Sequence, residues 1–319
     1  MVRVGVDASL DEALLKDFTR EAQLVKIAKE PQGEVEIDFW IPASSPKTVQ
    51  AQWPHLKGVR VVQSPWAGVD SLRHLFPPEV ILCDARGVHN IPTAEWAVTA
   101  VLAMQKYLPF YVELQKQGDW TRRLQAREIY RLSHGKDTNP VALLDEVADT
   151  TILIVGHGSI GQAIEARLAP FGATFLRIAR SPRPGVEPVS KLDDLLGQAD
   201  IVVLIIPLTS ETRHLMDAKR LAKMKPGALL VNAARGAIVD TEALLEALQE
   251  RRIRAAIDVT DPEPLPLGHP LWKAPNLFIT PHVAGDSAKF MKRLFVLASA
   301  QAERFARGEP LLNVVTGEY

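Results

Sequence analysis

One cysteine stands in a chain of 319 residues. Cys83 can form no internal disulfide, and a metal site built from several thiolates is excluded, so the composition fits a reducing cytosol. An excess of charge of one sign is also missing: 37 Lys and Arg face 38 Asp and Glu, a formal net charge of −1. That balance excludes the broad cationic surface of a nucleic-acid or anionic-membrane binder, while leaving room for a local basic pocket. Long apolar runs are absent. The longest, residues 201–208, is far too short to span a bilayer, and the opening MVRVGVDASL lacks the apolar core of a signal peptide. The expectation is a cytoplasmic chain with neither membrane nor nucleic-acid partner and no metal. Hydrophobic residues make up 47% and charged residues 24%, ample for two domains without a third regulatory module.

Short apolar runs alternate with amphipathic stretches, the pattern of parallel sheets covered on both faces. In the first part, strands are expected at residues 2–6, 35–41, 59–62 and 80–83. A helix is expected over 11–29, where Leu14, Leu15, Phe18, Leu24 and Ile27 share a broad face. A long helical segment is expected over 93–118. The polar, basic stretch 119–137 is either a surface arm or a solvated loop. A second series has strands at 151–155, 173–178, 201–206, 229–232, 255–259 and 277–280, and a helix over 287–307 closes the chain.

Gly156-His157-Gly158-Ser159-Ile160-Gly161 matches G-x-G-x-x-G. Alone that pattern is weak, but here an apolar strand precedes it and a helical run follows. Gly156 permits the tight turn, Gly158 lets backbone approach a pyrophosphate, and Gly161 lets helix and strand pack closely. Ser159 and Ile160 open the helix whose N–H groups face the phosphates. His157 is expected to be solvated. An NAD site usually carries an acid about 20 residues on, for the ribose 2′-hydroxyl. Here the second strand ends in Ala179, followed by Arg180, Ser181 and Arg183. Two arginines and a hydroxyl suit a 2′-phosphate, so NADP(H) is expected to be preferred, with NAD(H) possible. The plainer reading is a solvated basic turn.

Three segments in the last third place polar groups just after apolar strands: Arg235 after 229–232, Glu263 after 255–259 and His282 after 277–280. In an open parallel sheet, ligands sit beyond the carboxyl ends of the strands. Arg offers a planar fork for a carboxylate, His passes a proton near neutrality, and Glu holds the imidazole and favours its charged form. Those parts suit hydride reduction of a 2-keto acid. Each also has a plain structural reading: an ion-pair partner, an exposed acid between prolines, a satisfied histidine.

With these motifs in this order, the chain resembles the D-isomer-specific 2-hydroxyacid dehydrogenase family. Further matching segments are Ala67-Gly68-Val69-Asp70, Thr93-Ala94-Glu95, Val231-Asn232-Ala233-Ala234-Arg235-Gly236, Asp258-Val259-Thr260-Asp261-Pro262-Glu263-Pro264 and Thr280-Pro281-His282. The resemblance covers essentially the whole chain. It implies an α/β fold of two Rossmann-like domains, each a doubly wound parallel sheet, with the cofactor domain (99–287) inserted into a flavodoxin-like substrate domain (1–98 plus 288–319). It implies that Arg235 binds the substrate carboxylate and carbonyl, that His282 paired with Glu263 is the acid/base, and that Asp258 meets the nicotinamide carboxamide. Pro207, Thr209 and Ala233 would line the cofactor, with Thr212 making no contact, and backbone at Ala67 and Gly68 would hold the substrate. Trp66 either covers the substrate or merely packs. A homodimer through the cofactor domain is implied, with 119–137 in its interface. The expected activity is that of a glyoxylate/hydroxypyruvate type reductase. The alternatives are a D-3-phosphoglycerate dehydrogenase, for which Lys47, Lys57, Arg60 and Arg73 offer cations, a D-lactate dehydrogenase, or a nucleotide-sensing interaction protein on the same fold.

Overall fold

The structure, a computed structural model, describes residues 1–42, 45–134 and 145–317. The chain divides into two compact units, Met1–His89 with Asp286–Tyr319, and Asn90–Gly285.

In the first unit, β1 (Val2–Asp7), β2 (Ala22–Ile27), β3 (Phe39–Ile41), β4 (Val61–Gln63) and β5 (Ile81–Cys83) form a parallel sheet in the order β2-β1-β3-β4-β5. This is the flavodoxin-like order. Helix Phe290–Ala306 covers one face, burying Leu294, Phe295, Ala298 and Ala302 against Val4, Val6 and Phe39. The end of the chain thus completes a core begun at its start. Gln301 is buried on that helix without an energetic penalty, because its amide donates to Gln63 Oε1 at 3.2 Å and Leu312 O at 2.7 Å and accepts from Leu312 N at 2.8 Å. Cys83 lies in this core, and burial, with Asp84 beside it, pushes its thiol up to about 12.

Two expectations fail here. Residues 11–29 form no long helix: a short 3-10 turn at Glu12–Leu14 is followed by β2, which pairs with the full length of β1. Sheet pairing overrides the helical spacing, and Phe18 packs edge-on against Phe295 at 6.3 Å instead. Residues 35–41 are not one strand. Val35–Glu36 pairs with Leu56–Lys57 in a separate small sheet. Asp38 then accepts from Arg3 N at 2.9 Å, and only Phe39–Ile41 enters the main sheet.

The second unit holds β6 (Thr151–Val155), β7 (Thr174–Ala179), β8 (Glu187–Pro188), β9 (Ile201–Leu204), β10 (Leu229–Asn232), β11 (Arg254–Ile257) and β12 (Leu277–Ile279). They are parallel, in the order β8-β7-β6-β9-β10-β11-β12, the dinucleotide-fold order with one added strand. Strands β9, β10 and β11 are buried along their whole length; β9 reads as an unbroken apolar run and β10 as one up to its last residue, Asn232, because helices cover both faces. The strand order reverses between β6 and β9, which opens a crevice at their carboxyl ends.

The expected helix over 93–118 is two helices, Asn90–Gln105 and Leu108–Gln117. Tyr107 turns left-handed between them (φ 51°), just ahead of Pro109, which has no N–H to continue the first helix. The first of these helices begins before the expected domain boundary at 98. It belongs wholly to the second unit, since Ala94, Ala97, Val101 and Met104 bury against Ile152, Ile154 and Val203. The described part of the 119–137 stretch is a 3-10 turn at Thr121–Leu124 and a helix at Gln125–His134, not a loop; its remainder lies outside the described residues. Among the described residues, no helix is long and apolar enough to cross a membrane, and no group of three or more His, Cys, Asp or Glu is gathered as for a metal ion.

Leu153 sits fully buried in the middle of β6. Leu153→Ala is expected to cost about 2–5 kcal/mol in urea unfolding, the range for a large-to-small change in a packed core.

Candidate active site

The glycine turn after β6 is built by close approach. Gly156 has φ 110°, and a Cβ there would lie 2.3 Å from Ile205 O. A Cβ on Gly161 would lie 2.3 Å from Gly156 O. Neither position tolerates a side chain. At Gly158, which caps helix Ser159–Leu168, nothing lies within 4 Å of the corresponding point. The chain is therefore packed behind the turn and open at its tip. There the first N–H groups of the helix, which have no intrahelical acceptor, and the positive dipole end face outward. A pyrophosphate fits this cradle. Ser159 Oγ donates to Asn90 Oδ1 at 3.0 Å, and Ile160 is half-buried behind it.

Beyond β7, Arg180, Ser181 and Arg183 are all exposed, and no acid stands at the strand end. Arg183-Pro184-Gly185-Val186 closes a tight turn: Arg183 N donates to Val186 O at 3.1 Å, Val186 N donates back at 2.8 Å, and Gly185 takes φ 75°. His157 is not solvated as expected. Its ring is 11% exposed, with Nε2 at 2.7 Å from Glu165 Oε2 and Nδ1 at 2.9 Å from Arg183 Nη2. Arg177 grips the same carboxylate through Nε at 2.7 Å and Nη2 at 2.5 Å. The bonds from Arg177, joined by that from His157, hold the Glu165 carboxyl below its usual range against the opposing effect of burial. The stability this contributes is fully present above the ordinary carboxylate range and is lost as pH falls through the lowered value.

After β9, Thr212 shapes the loop that carries Pro207 and Thr209. Its hydroxyl donates to Pro207 O at 2.7 Å and accepts from Thr209 N at 2.7 Å. Glu95 lies 4.0 Å from Arg167, a helix-to-helix ion pair. Ala67 and Gly68 lie in the first unit, on the loop after β4, where the Ser64 hydroxyl bonds the amide and carbonyl of the half-buried Trp66, both at 3.0 Å.

The three chemically expressive residues follow adjacent strands in one register. Asn232 of β10 stands beside Ile257 of β11, which stands beside Ile279 of β12. Arg235, Glu263 and His282 therefore leave one edge of one sheet. Asn232 shapes the first loop, its Nδ2 donating to Arg235 O at 3.0 Å and its Oδ1 accepting from Ala234 N at 3.0 Å; Ala233 N meets Leu204 O at 3.3 Å. At Gly236 a Cβ would collide with the Thr260 carbonyl, so this glycine lets the Arg235 loop lie against the loop leading to Glu263. Thr241 Oγ1 ties the same pair of segments by donating to Asp261 O at 2.7 Å.

Asp258 is 2% exposed at the end of β11. Its Oδ1 accepts from Thr280 Oγ1 at 2.5 Å and Val283 N at 2.9 Å, and its Oδ2 from Ala284 N at 2.8 Å. His282 N donates to Asp258 O at 2.7 Å. This wrap holds His282 at φ 56°, a left-handed conformation that costs a non-glycine residue roughly 1–2 kcal/mol. His282 Nδ1 then meets Glu263 Oε1 at 2.5 Å, with both side chains partly open to solvent. Sequence reasoning named Asp258 but missed this bracing, because the bonds run to residues 22–26 positions later. It also missed Glu165 and Arg177, whose only signal is opposite charge on a helix and strand that pack together.

The model of the D-isomer specific 2-hydroxyacid dehydrogenase NAD binding domain matches residues 98–284. The chain belongs to the D-isomer specific 2-hydroxyacid dehydrogenase family. This dehydrogenase is 35% identical over 318 residues to a glyoxylate reductase of Thermococcus gammatolerans, spanning 95% of this chain and 88% of that one. It is 30% identical over 310 residues to a D-3-phosphoglycerate dehydrogenase of Methanocaldococcus jannaschii, spanning 93% of this chain but 54% of that protein. Among solved structures, an NADPH-dependent glyoxylate/hydroxypyruvate reductase from Sinorhizobium meliloti, in complex with NADP and sulfate, is similar at a TM-score of 0.80, with 28% identity and 100% of both chains covered.

In this dehydrogenase Asp258→Asn would turn an amide donor toward backbone N–H groups that now meet a carboxylate. The expected result is a loss of about 1–3 kcal/mol in chemical unfolding, the penalty for a buried donor left unsatisfied. An unchanged midpoint would show that the loop carrying His282 does not depend on this brace.

Proposed function

We propose that this dehydrogenase reduces a small 2-keto acid of the glyoxylate or hydroxypyruvate type to the D-2-hydroxy acid, with NADP(H) preferred and NAD(H) accepted. The contact that carries the reading is His282 Nδ1 to Glu263 Oε1 at 2.5 Å, on the sheet edge that also carries Arg235. With Nδ1 engaged by the carboxylate, Nε2 is left to face substrate. Glu263 stabilises the charged imidazole and fixes its orientation. In reduction His282 gives its Nε2 proton to the carbonyl oxygen, and in oxidation it takes that proton from the hydroxyl. The bound dinucleotide supplies or accepts the hydride. Arg235 pairs with the substrate carboxylate and stabilises negative charge developing on the oxygen. Backbone N–H groups at Ala67 and Gly68 are proposed to hold the carboxylate as well. The open tip at Gly158, with Ser159, Ile160 and Gly161 behind it, is proposed to take the pyrophosphate. Pro207, Thr209 and Ala233 would line the rest of the dinucleotide. Asp258 orders the His282 loop first, and a contact to the nicotinamide carboxamide would draw on what acceptor capacity its Oδ2 retains. Arg180, Ser181 and Arg183 would receive the 2′-phosphate, a reading supported by the exposed arginines and by the missing acid after β7.

A phosphorylated substrate fits less well. Lys57 pairs with Glu34 at 3.3 Å, Arg60 lies over the Phe305 ring at 4.6 Å, and Arg73 donates to Val315 O at 3.4 Å, so these cations are already engaged within the first unit. Purified protein is expected to consume NADPH with glyoxylate or hydroxypyruvate faster than with pyruvate or phosphohydroxypyruvate. No turnover on any keto acid would leave the nucleotide-sensing reading standing. His282→Ala is expected to lower kcat by about 10²–10⁴-fold, the usual worth of a general acid, with a much smaller change in the Kd for NADPH. Unchanged turnover would remove His282 from the chemistry.

A second copy of the chain is the proposed partner of residues 108–132. Leu108, Val112, Trp120, Leu124 and Leu132 are exposed there, and Trp120 is 79% exposed. Such clustering on one segment marks an interaction surface. Light scattering is expected to give a dimer for the native protein and a monomer for the double variant Trp120→Glu, Leu124→Glu. A native monomer would refute this.

A further inference from the structure

The basic turn after β7 is held at both ends of Arg183. Its backbone is fixed by the reciprocal bonds with Val186. Its side chain is fixed by His157, the second residue of the glycine motif: Nη2 donates to His157 O at 2.6 Å and to His157 Nδ1 at 2.9 Å. A guanidinium has no lone pair to offer, so Nδ1 must be the acceptor. The single ring proton therefore sits on Nε2, where it meets Glu165 Oε2 at 2.7 Å. The two contacts together define one tautomer and one charge state, the neutral Nε2–H ring. With both Nη2 hydrogens spent on His157, the Nε and Nη1 hydrogens of Arg183 remain for a ligand.

We propose that His157 is a positioning residue for dinucleotide selectivity: as a neutral ring it fixes Arg183 at the place where a 2′-phosphate docks, and on taking a second proton it gives up the Nδ1 contact and leaves Arg183 tethered only through His157 O. The inference rests on the NADP(H) reading above. The charged groups that face the ring are Glu165 from the helix Ser159–Leu168, Arg177 from β7 and Arg183 from the turn. Glu165 favours the second proton, but Arg177 already bonds both its oxygens. Arg183 opposes the second proton directly, because an Nδ1–H would point at Nη2, donor against donor. Protonation therefore costs the Nδ1 contact to Arg183, while the bonds from Arg183 to His157 O and from Nε2 to Glu165 remain. A recess of about 470 Å³ lined by His157, Glu165, Arg177 and Arg183 gives the loosened guanidinium space to pivot about its remaining bond. The consequence is an NADPH preference that weakens on acidification.

The test is binding, not turnover. Kd values for NADPH and NADH are read from dihydronicotinamide fluorescence over about pH 5.5 to 8.5, the span across which histidine acts as a switch. Four proteins are compared: native, His157→Asn, His157→Gln and Arg183→Ala. An Asn oxygen stands where Nδ1 stood, so His157→Asn keeps the acceptor for Arg183 and does not titrate. A Gln amide reaches Glu165 in place of Nε2 and loses that acceptor. The 2′-phosphate has its own titration near pH 6, common to all four proteins, so the native profile is read against that of His157→Asn. At about pH 8, His157→Gln is expected to lose on the order of tenfold in NADPH-over-NADH selectivity, while His157→Asn retains it. Toward the acid end, the native protein is expected to fall below His157→Asn by a similar factor. Coincident native and His157→Asn profiles, or native-like selectivity in His157→Gln, would overturn the positioning role. Equal loss in both His157 variants would overturn it too, since it would mark a merely structural residue. Arg183→Ala separates the two levels. If it leaves the preference intact, the phosphate reading fails and the inference fails with it. If it abolishes the preference while the His157 variants behave as native, only the role of His157 falls.

Discussion

The buried carboxylate of Asp258 organises the loop on which the rest of the proposed chemistry depends. It lies at the end of β11 and draws three donors from residues 280–284 onto its two oxygens. A carboxyl group this deeply buried needs hydrogen-bond partners, and a hydroxyl with two backbone amides supplies them. The wrap bends the chain sharply after β12 and offsets the left-handed backbone of His282. Without it, the imidazole would have no fixed relation to Glu263, which arrives from the loop after β11.

The two adjacent turns after β6 and β7 are organised by different means. At the glycine turn the controlling factor is steric: backbone approaches backbone so closely at Gly156 and Gly161 that a single Cβ would part the helix from the sheet. At the neighbouring basic turn it is electrostatic. Arg177, Glu165, His157 and Arg183 form a chain of alternating character across strand, helix and turn. The steric device shapes a cradle for any pyrophosphate, whereas the charged chain bears on which dinucleotide is taken.

Much of the second unit was legible in the sequence, for a physical reason. Strands β6, β9, β10 and β11 are buried almost throughout and, with the half-buried β12, mostly appear as apolar runs, so these five stand out, with polar residues at or just past their ends. The first unit was less legible. Its β2 carries half-buried residues whose spacing imitates a helix, and only pairing with β1 decides that 22–27 is extended. The break between Gln105 and Leu108 was written in Pro109, yet the apolar pattern runs through it on both sides. Asp38 divides 35–41 by accepting from Arg3, a partner 35 residues away.

The sequence by itself determined the chemistry on offer: a glycine turn between strand and helix, arginines where an acid is usual, and Arg235, Glu263 and His282 each a few residues beyond a strand. Those are local facts, set by residue type and by distance along the chain. Only the tertiary structure decided which groups meet. It joined Asp258 to Thr280, Val283 and Ala284, put Gly236 against Thr260, and turned His157 from an expected solvated side chain into the link between Glu165 and Arg183. Hydrogen bonds and steric fit act through space at about 3 Å, and no pattern along the chain records which distant residues will come that close.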